Sequence, residues 1–405
     1  MRALAIAALA VLLLISVVRV VGHRAPLPVP AQVNGRAAVR LHGEGQLLAG
    51  AGTAQIQTDR AGGLSARALV LEAGGARVIL VALDALLIPG PLEADVLRAA
   101  ALPPQTCLLL AATHTHAGAG GTWNNLLAEV AGNGVYQAQL ARAHRDAAAA
   151  AIAQALQGLG PARLRAAREP WPDGPARPRG PGPIDPQIAV IRALRPDGSA
   201  VATLVDYGMH PTVVRRNRAF VSGDWPGEAA RALEQQTGAP ALIVQGAGGN
   251  ATWAREGSPA APQAAAQALG ERVATHALAL ASSAPLSAEK VALGCEVRLL
   301  ALPAARASPA VPRPLRTLAS NALALFAEPF AVQTEIELPS LRLFGVPGEV
   351  VGDLRPPGDA VPVTLADGYE GYVETQERWS TGGGEAKTTY YGPDLAAALG
   401  LAQAR

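Results

Sequence analysis

Short apolar runs alternate with longer alanine-rich stretches from position 48 onward. Unbroken apolar runs of this length are typical of buried strands, whereas the alanine-rich stretches are long enough for helices. The pattern predicts strands at 66–72, 77–87, 106–113, 188–194, 200–207, 241–245, 291–300, 333–344 and 360–365. It predicts helices at 91–100, 136–157, 226–236, 260–282 and 393–404.

Turn signals between these elements indicate how the strands connect. Gly74-Gly75 and Arg195-Pro196-Asp197-Gly198 each separate two strand-like runs and predict tight turns, the second of them a hairpin. The segment 170–186 is crowded with Pro, Gly and Arg and is predicted to be a loop close to the functional site. Hairpins together with helical crossovers predict an α/β fold of mixed β-sheet layers flanked by helices.

The N-terminal end differs from the rest of the chain. Residues 1–22 start with Met1-Arg2, continue as a largely apolar stretch and predict a signal peptide or an N-terminal membrane anchor. Residues 23–47 form a Pro-rich spacer and lead-in, and 48–405 are predicted to form one large catalytic domain. We therefore expect an exported protein, at the periplasmic face of the inner membrane, secreted or at the cell surface.

Composition narrows the function classes. The chain has 405 residues, of which 50% are hydrophobic and 16% charged, so it can bury a large core and is not disordered throughout. The formal net charge is only +2, which gives no electrostatic case for a nucleic-acid partner. Cys107 and Cys295 are too few for a disulfide framework or a cysteine-built zinc site, and form one bridge or none. No feature indicates an oligomeric state.

Histidines follow two of the predicted strands. His114 and His116 end the run 106–113, and residues two apart in a strand share one face, so both imidazoles are expected to point the same way. His210 follows the strand 200–207. Imidazoles at strand ends suit a metal or a proton relay, although an isolated strand-end histidine is more often structural.

Three further segments carry candidate chemistry. The glycine-rich stretch 245–252, which contains Asn250 and Thr252, offers either backbone N–H groups for an oxyanion or a plain tight turn, and its spacing is not that of a dinucleotide fingerprint. Glu349 follows Pro-Gly just beyond a strand. Four of the six tyrosines lie between Tyr369 and Tyr391, and a phenol beside a metal readily ionises and ligates it.

Taken in order, these segments resemble the neutral (alkaline, non-lysosomal) ceramidases, specifically their N-terminal catalytic domain. The resemblance runs from about 48 to about 399 and rests on the Thr-His-Thr-His of 113–116, the histidine and aspartate of 210–224, the Pro-Gly-Glu of 347–349, and the tyrosine motifs of 369–372 and 391–393. The resemblance stops short of the immunoglobulin-like C-terminal domain of full ceramidases, so we expect a catalytic domain without it.

The resemblance implies a set of site residues. One Zn²⁺ ion would be held by His114, His210, Glu349 and Tyr372. His116 would act as an acid/base or carbonyl-orienting group, and either Arg177 or Arg179 would match an arginine that assists the site. The implied function is zinc-dependent hydrolysis of a linear N-acyl amide, ceramide or a related lipid, by metal-activated water.

Departures from the family pattern leave alternatives open. Asn250 replaces a carboxylate, Thr252 replaces a serine, and Gly384 stands where the family has a tyrosine, so specificity for ceramide is in doubt. An exported, membrane-tethered binding protein without catalysis is the alternative. An amidohydrolase-type barrel is disfavoured because its bridging lysine would have to be Lys290, which has no histidine nearby.

Overall fold

Three open β-sheets flanked by helices make up the computed structural model, which describes residues 28–216, 219–253 and 261–403. Each sheet is mostly antiparallel and carries one parallel pair of strands. The predicted α/β fold with mixed sheet layers is confirmed. Open sheets also exclude the amidohydrolase barrel within the described residues, and Lys290 is exposed at the start of its strand.

The first sheet packs its face against a long helix, Ala138–Gln157. A Cβ atom at Gly50 or Gly52 would collide with the carbonyl oxygens of Ala155 or Ala151, so glycines in the strand and alanines in the helix permit this close approach. The shorter helix Leu92–Ala99 packs on the long one. In spatial order the strands are Cys107–Ala112, Ala76–Leu83, Ser65–Ala73, Leu48–Gln55 and Gly160–Pro161.

The second sheet contains the predicted hairpin. Arg195 N–H donates to the Ser199 carbonyl at 2.8 Å and closes the turn. The helices Asp224–Thr237 and Pro262–Ser283 pack against each other on this sheet. In spatial order the strands are Arg163–Pro170, Gln187–Leu194, Ala200–Tyr207 and Ala241–Val244.

The third sheet differs from the prediction in two ways. The single strand predicted at 333–344 is wrong, because a turn at Pro339-Ser340, closed by Leu338 N–H on the Leu341 carbonyl at 2.9 Å, divides it into two antiparallel strands. The sheet also includes a strand from the predicted lead-in, ahead of position 48. In spatial order its strands are Val361–Thr364, Arg342–Val346, Phe330–Glu337, Lys290–Ala301 and Val39–Gln46.

All three sheets contribute to one apolar core. Leu80, Ile191 and Leu343, one from each sheet, are at most 1% exposed within the same cluster. A disulfide between Cys107 and Cys295 ties the first sheet to the third through this core. The sequence left that pairing open, and the fold decides it by bringing the two strands face to face.

Smaller elements complete the described chain. The loop predicted at 170–186 contains one short strand, and the helix predicted at 393–404 is shorter than expected and ends at Ala398. The other strands are Gln32–Val33, Arg36–Ala37, Ala61–Gly63, Ala176–Pro178, Phe220–Ser222, Ala251–Trp253, Glu349–Val350, Leu354–Arg355, Tyr372–Val373 and Ala402–Gln403. The other helical segments are Leu126–Ala128, Glu129–Asn133, Arg313–Leu315, Arg316–Leu323, Gln376–Thr381 and Asp394–Ala398.

The N-terminal prediction lies outside this structure. Residues 1–22, expected to be a signal peptide or an anchor, are not among the described residues. Within the described part of the chain, no helix combines the length and apolar character needed to cross a bilayer.

Candidate metal centre

One loop from each sheet meets at a common point. His114 follows Cys107–Ala112 in the first sheet, His210 follows Ala200–Tyr207 in the second, and Glu349 follows Arg342–Val346 in the third. Each of these strands belongs to the parallel pair of its sheet. The three side chains therefore leave carboxyl ends of strands that surround one core, which is where open α/β sheets form their sites.

The ligand-type atoms at this point lie within contact distance of one another. The Nε2 atoms of His114 and His210 are 3.3 Å apart, and each is 3.1 Å from Glu349 Oε2. Tyr372 OH lies 3.0 Å from His210 Nε2, and His116 Nε2 lies 3.3 Å from His114 Nε2. The group is buried except for His116, which is half-buried. The three imidazoles by themselves form a cluster able to hold a metal ion.

Backbone carbonyls fix the orientation of two of the imidazoles. His114 Nδ1 lies 2.7 Å from the Leu86 carbonyl and His210 Nδ1 lies 2.9 Å from the Gly248 carbonyl. A carbonyl only accepts, so both Nδ1 atoms must carry the proton, which leaves each Nε2 lone pair directed at the centre.

The carboxylate supplies a further unsatisfied acceptor. Tyr369 OH donates to Glu349 Oε1 at 2.7 Å, whereas Oε2 is buried and has no hydrogen-bond partner among the described residues. Buried polar atoms are nearly always partnered, so an oxygen facing two nitrogen lone pairs marks a place for a cation.

The electrostatics agree with this geometry. Burial raises the pKa of Glu349, but His114 and His210 outweigh it and hold that pKa well below the ordinary value. Burial lowers the pKa of His210, and burial with the two neighbouring histidines lowers the pKa of His116 to about 2. Burial and Glu349 raise the pKa of the Tyr372 phenol, so this phenol needs a nearby cation in order to ionise.

The two neighbouring histidines meet for a different reason than predicted. The strand ends at Ala112, and His114 adopts a left-handed conformation with φ of 65°. Strand alternation therefore does not align His114 and His116. The turn brings their rings together edge to face with centroids 4.7 Å apart.

Of the two candidate arginines, the structure brings one to the centre. Arg179 Nη2 donates to Tyr372 OH at 2.9 Å and to Glu385 Oε1 at 2.6 Å. Arg177 Nη1 instead donates to the carbonyls of Gly174 and Ala176 in its own loop, at 2.5 and 2.7 Å.

The glycine-rich segment serves packing. Gly248 N–H donates to the Gly246 carbonyl and Gly249 N–H to the Val350 carbonyl, both at 2.7 Å, which fits the tight-turn alternative for these two groups. An oxyanion role for the 248–250 backbone stays a prediction. A Cβ at Gly248 would lie 3.0 Å from the Gly208 carbonyl carbon. The glycines therefore permit the close approach that places the Gly248 carbonyl against His210.

The three residues that depart from the family pattern each have a place in the surrounding structure. Asn250 Nδ2 donates to the Pro183 carbonyl at 3.0 Å, and Asn250 Oδ1 accepts the Gly352 N–H at 2.8 Å. Thr252 lies half-buried in a short strand whose backbone pairs with Arg177. Gly384 has a φ of 53°, where any side chain strains the backbone, and a Cβ there would require the Glu374 carboxylate to shift, so the position favours glycine over a tyrosine. Catalytic roles for Asn250 and Thr252 stay predictions.

Two supporting residues were not recognised from the sequence. Gln245 Nε2 donates to the Thr113 carbonyl at 3.0 Å, and Gln245 Oε1 accepts the Met209 N–H at 3.3 Å, which ties together the loops of His114 and His210. Tyr369 was seen only as part of a tyrosine cluster, whereas its hydroxyl orients Glu349. The sequence signal available for Gln245 was its position, since it is a polar residue at the end of the apolar run 241–245.

Three imidazoles at strand ends of an α/β fold, with a carboxylate and a phenol beside them, form a cluster that could hold a metal ion. The family model described as "Neutral/alkaline non-lysosomal ceramidase, N-terminal" matches residues 46–249. The chain belongs to that family and is a ceramidase-type hydrolase.

Solved structures share the fold. The neutral ceramidase from Pseudomonas aeruginosa has a TM-score of 0.73 and 19% identity, covering 87% of this chain and 72% of its own. A ceramidase complexed with C2 also has a TM-score of 0.73 and 19% identity, covering 87% of this chain and 73% of its own. A comparison with curated proteins found no match.

Proposed function

We propose that this protein hydrolyses linear N-acyl amides, ceramide among them, with one Zn²⁺ ion held by His114, His210, Glu349 and Tyr372. The observation that carries the proposal is the buried Glu349 Oε2, which has no hydrogen-bond partner among the described residues and lies 3.1 Å from two histidine Nε2 atoms. Family membership supplies the reaction class, and a ceramidase of the same fold was solved in complex with C2.

The chemistry of the donor set fits zinc. Two imidazole nitrogens, a carboxylate and a phenol are borderline ligands of the type that Zn²⁺ accepts. A carboxylate and an ionised phenol together carry two negative charges, which balance a divalent cation in a buried site. His116 is left outside this set because its Nε2 contacts only His114 within the cluster, and no backbone carbonyl orients its other nitrogen among the described contacts.

The reaction adds water across the amide bond and yields a carboxylate and a protonated amine. Zinc supplies Lewis acidity and makes water at the site more acidic. His116 lies beside the ligand set, with its Nε2 3.3 Å from His114 Nε2, so its imidazole would take a proton from the attacking water and then pass it to the leaving nitrogen. Arg179 donates to Tyr372 OH and holds this phenol in place while favouring its ionised form.

Export and contact with a membrane form part of the proposal. The N-terminal apolar stretch supports an anchor or signal at 1–22. The buried disulfide between Cys107 and Cys295 supports an oxidising compartment, because such bonds are rare in reducing cytosol. An enzyme located there would meet lipid N-acyl amides at the membrane surface.

A non-catalytic binding protein remains the second candidate. It is favoured by Gly384, where the backbone conformation disfavours the tyrosine that the family pattern places there. Such a protein would keep the metal and lose turnover.

Metal content and turnover, measured together, test the proposal. The purified chain is analysed for bound metals by mass spectrometry and assayed on ceramide and on N-dodecanoyl ethanolamine. We expect one zinc per chain and hydrolysis of at least one amide. His210→Ala should lose both zinc and turnover, whereas His116→Ala should keep zinc and lose turnover. His42→Ala, which removes an exposed histidine, is the matched control and should change neither.

The outcomes separate the candidates. Full zinc in His210→Ala would overturn the ligand set, and loss of zinc in His116→Ala would transfer this histidine to the ligands. Zinc without turnover on either amide in the unmodified chain would favour the binding protein.

A further inference from the structure

A cavity of about 350 Å³ opens beside the metal centre, within the usual size range of ligand sites. His116 lines it on one side, together with Leu86, whose carbonyl holds His114. Arg215 and Arg216 line it on another side, and none of the described residues that line it is acidic. The cavity therefore joins the group assigned to proton transfer with two guanidinium groups.

The chain holds Arg216 in a defined position. Arg216 Nη1 donates to the Gly132 carbonyl at 2.6 Å, and Nη2 donates to the Asn133 carbonyl at 3.1 Å. A Cβ at Gly120 would collide with the same guanidinium, and Gly120 has a φ of 70°. The glycine thus leaves the space that the arginine occupies, so this wall of the cavity is built around a cation.

The charge at this wall is not balanced by those bonds. Backbone carbonyls are neutral acceptors, so they fix the guanidinium without cancelling its charge. Burial, and then the neighbouring Arg60, lower the pKa of Arg216, which means that the surroundings disfavour its cationic form. A bound anion would relieve both effects.

We propose that this cavity binds an anionic group, a carboxylate or a phosphate, on the amine half of an N-acyl amide substrate. The inference rests on the proposed function, in which His116 protonates the leaving nitrogen, so the group attached to that nitrogen lies on the His116 side. Guanidinium groups present paired N–H donors that match carboxylate and phosphate oxygens. An uncharged amine half would leave Arg216, whose partners among the described residues are backbone carbonyls, without a counter-charge from the substrate.

Three amides that share one acyl chain test the inference. N-dodecanoyl glycine carries a carboxylate, N-dodecanoyl ethanolamine is neutral, and the phosphate ester of the latter carries a phosphate. We expect kcat/KM to be at least tenfold higher for one of the two anionic amides than for the neutral one. The preferred anion identifies which source of negative charge the cavity accepts.

Variants connect the preference to the cavity. Arg215→Gln and Arg216→Gln should each lower the ratio of anionic to neutral kcat/KM by at least fivefold, and Arg216→Lys, which keeps the charge, should restore part of it. Arg142→Gln removes an exposed arginine on the helix Ala138–Gln157 and should leave the ratio unchanged. Circular dichroism confirms that each variant is folded.

The failures are distinguishable. If the protein hydrolyses neither ceramide nor any of the three amides, the proposed function is overturned. Hydrolysis with equal kcat/KM for neutral and anionic amides overturns the anion site alone. A preference that Arg215→Gln and Arg216→Gln leave intact also overturns it, because the selectivity then arises elsewhere.

Discussion

Two of the buried groups of charged side chains in the described chain balance their charge differently. The metal centre gathers His114, His210 and Glu349, and no arginine or lysine of the described chain forms an ion pair with Glu349 Oε2. The second group, which we call the Arg36 cluster, consists of Arg36, Glu93 and Asp367. It contains its own cation.

The Arg36 cluster is neutralised internally. Arg36 and Glu93 are fully buried, with Arg36 Nε 3.4 Å from Glu93 Oε2, and Asp367 is close enough to shift the pKa of Glu93. Burial and the adjacent Asp367 raise the pKa of Glu93 well above its ordinary value, although Arg36 opposes this. Because burial raises the pKa of both carboxyl groups, one proton held by the pair beside one guanidinium would leave no net charge.

The difference between the two groups separates a structural cluster from a functional one. Buried charge is costly unless it is paired, so a cluster with a resident guanidinium carries its own counter-charge when the chain folds. The metal centre has two lone pairs and a carboxylate oxygen directed at one point without an arginine or lysine, and in the function proposed above an external cation supplies the counter-charge. Three experiments test this contrast.

The largest effect is expected from Arg36→Met. Removing the guanidinium leaves two carboxyl groups buried without a cation, which should destabilise the fold by about 3–5 kcal/mol. Urea unfolding measures the change. Arg77→Met breaks a half-exposed pair with Glu72 and should cost less than about 1 kcal/mol. Equal costs for the two variants would contradict internal neutralisation of the cluster.

Tyr369→Phe should weaken the metal centre while keeping the fold. The hydroxyl that orients Glu349 Oε1 is lost, and such outer partners typically contribute about 10- to 100-fold to metal affinity. Competition with a chelator measures zinc affinity. Tyr207→Phe removes another buried phenol hydroxyl, which accepts the Ala176 N–H, and should lower stability without changing zinc affinity. Unchanged affinity in Tyr369→Phe would mean that Glu349 is oriented by other contacts.

The smallest effect concerns pH. Because the pKa of Glu93 in the folded protein is raised well above 4.5, the unfolded chain ionises this group at lower pH than the folded protein does. Its contribution to the free energy of unfolding is therefore fully present below pH 4.5 and is lost as the pH rises from there through the pKa of the folded protein. Glu93→Gln cannot ionise, so relative to the unmodified protein it should gain on the order of 1 kcal/mol between pH 5 and pH 8.

Urea unfolding at the two pH values checks this expectation. Glu72→Gln, in the half-exposed pair, should show the same stability difference from the unmodified protein at both pH values. A Glu93→Gln difference that is also independent of pH would mean that Glu93 is ionised in the folded protein.

Local patterns predicted much of the fold because they depend on neighbours in sequence. The hairpin around Asp197-Gly198 and the strand and helix order follow from turn chemistry and apolar runs, which act over a few residues. The division of 333–344 was missed because apolar residues on both sides of Pro339 resemble one run. The sequence could not choose between an oxyanion role and a tight turn for the glycine-rich segment, because its hydrogen bonds depend on partners such as the Val350 carbonyl, which lies far away in the sequence.

The sequence alone determined the residue types, the order of the motifs and the family they resemble. It placed histidines and a glutamate just beyond apolar strands, because side-chain chemistry and turn signals depend only on residues that are close together in the sequence. Only the tertiary structure decided that these segments share one point, that Arg179 rather than Arg177 reaches it, and that Cys107 bonds Cys295. Those facts depend on how three sheets pack around one core, and packing is a property of distant residues acting together.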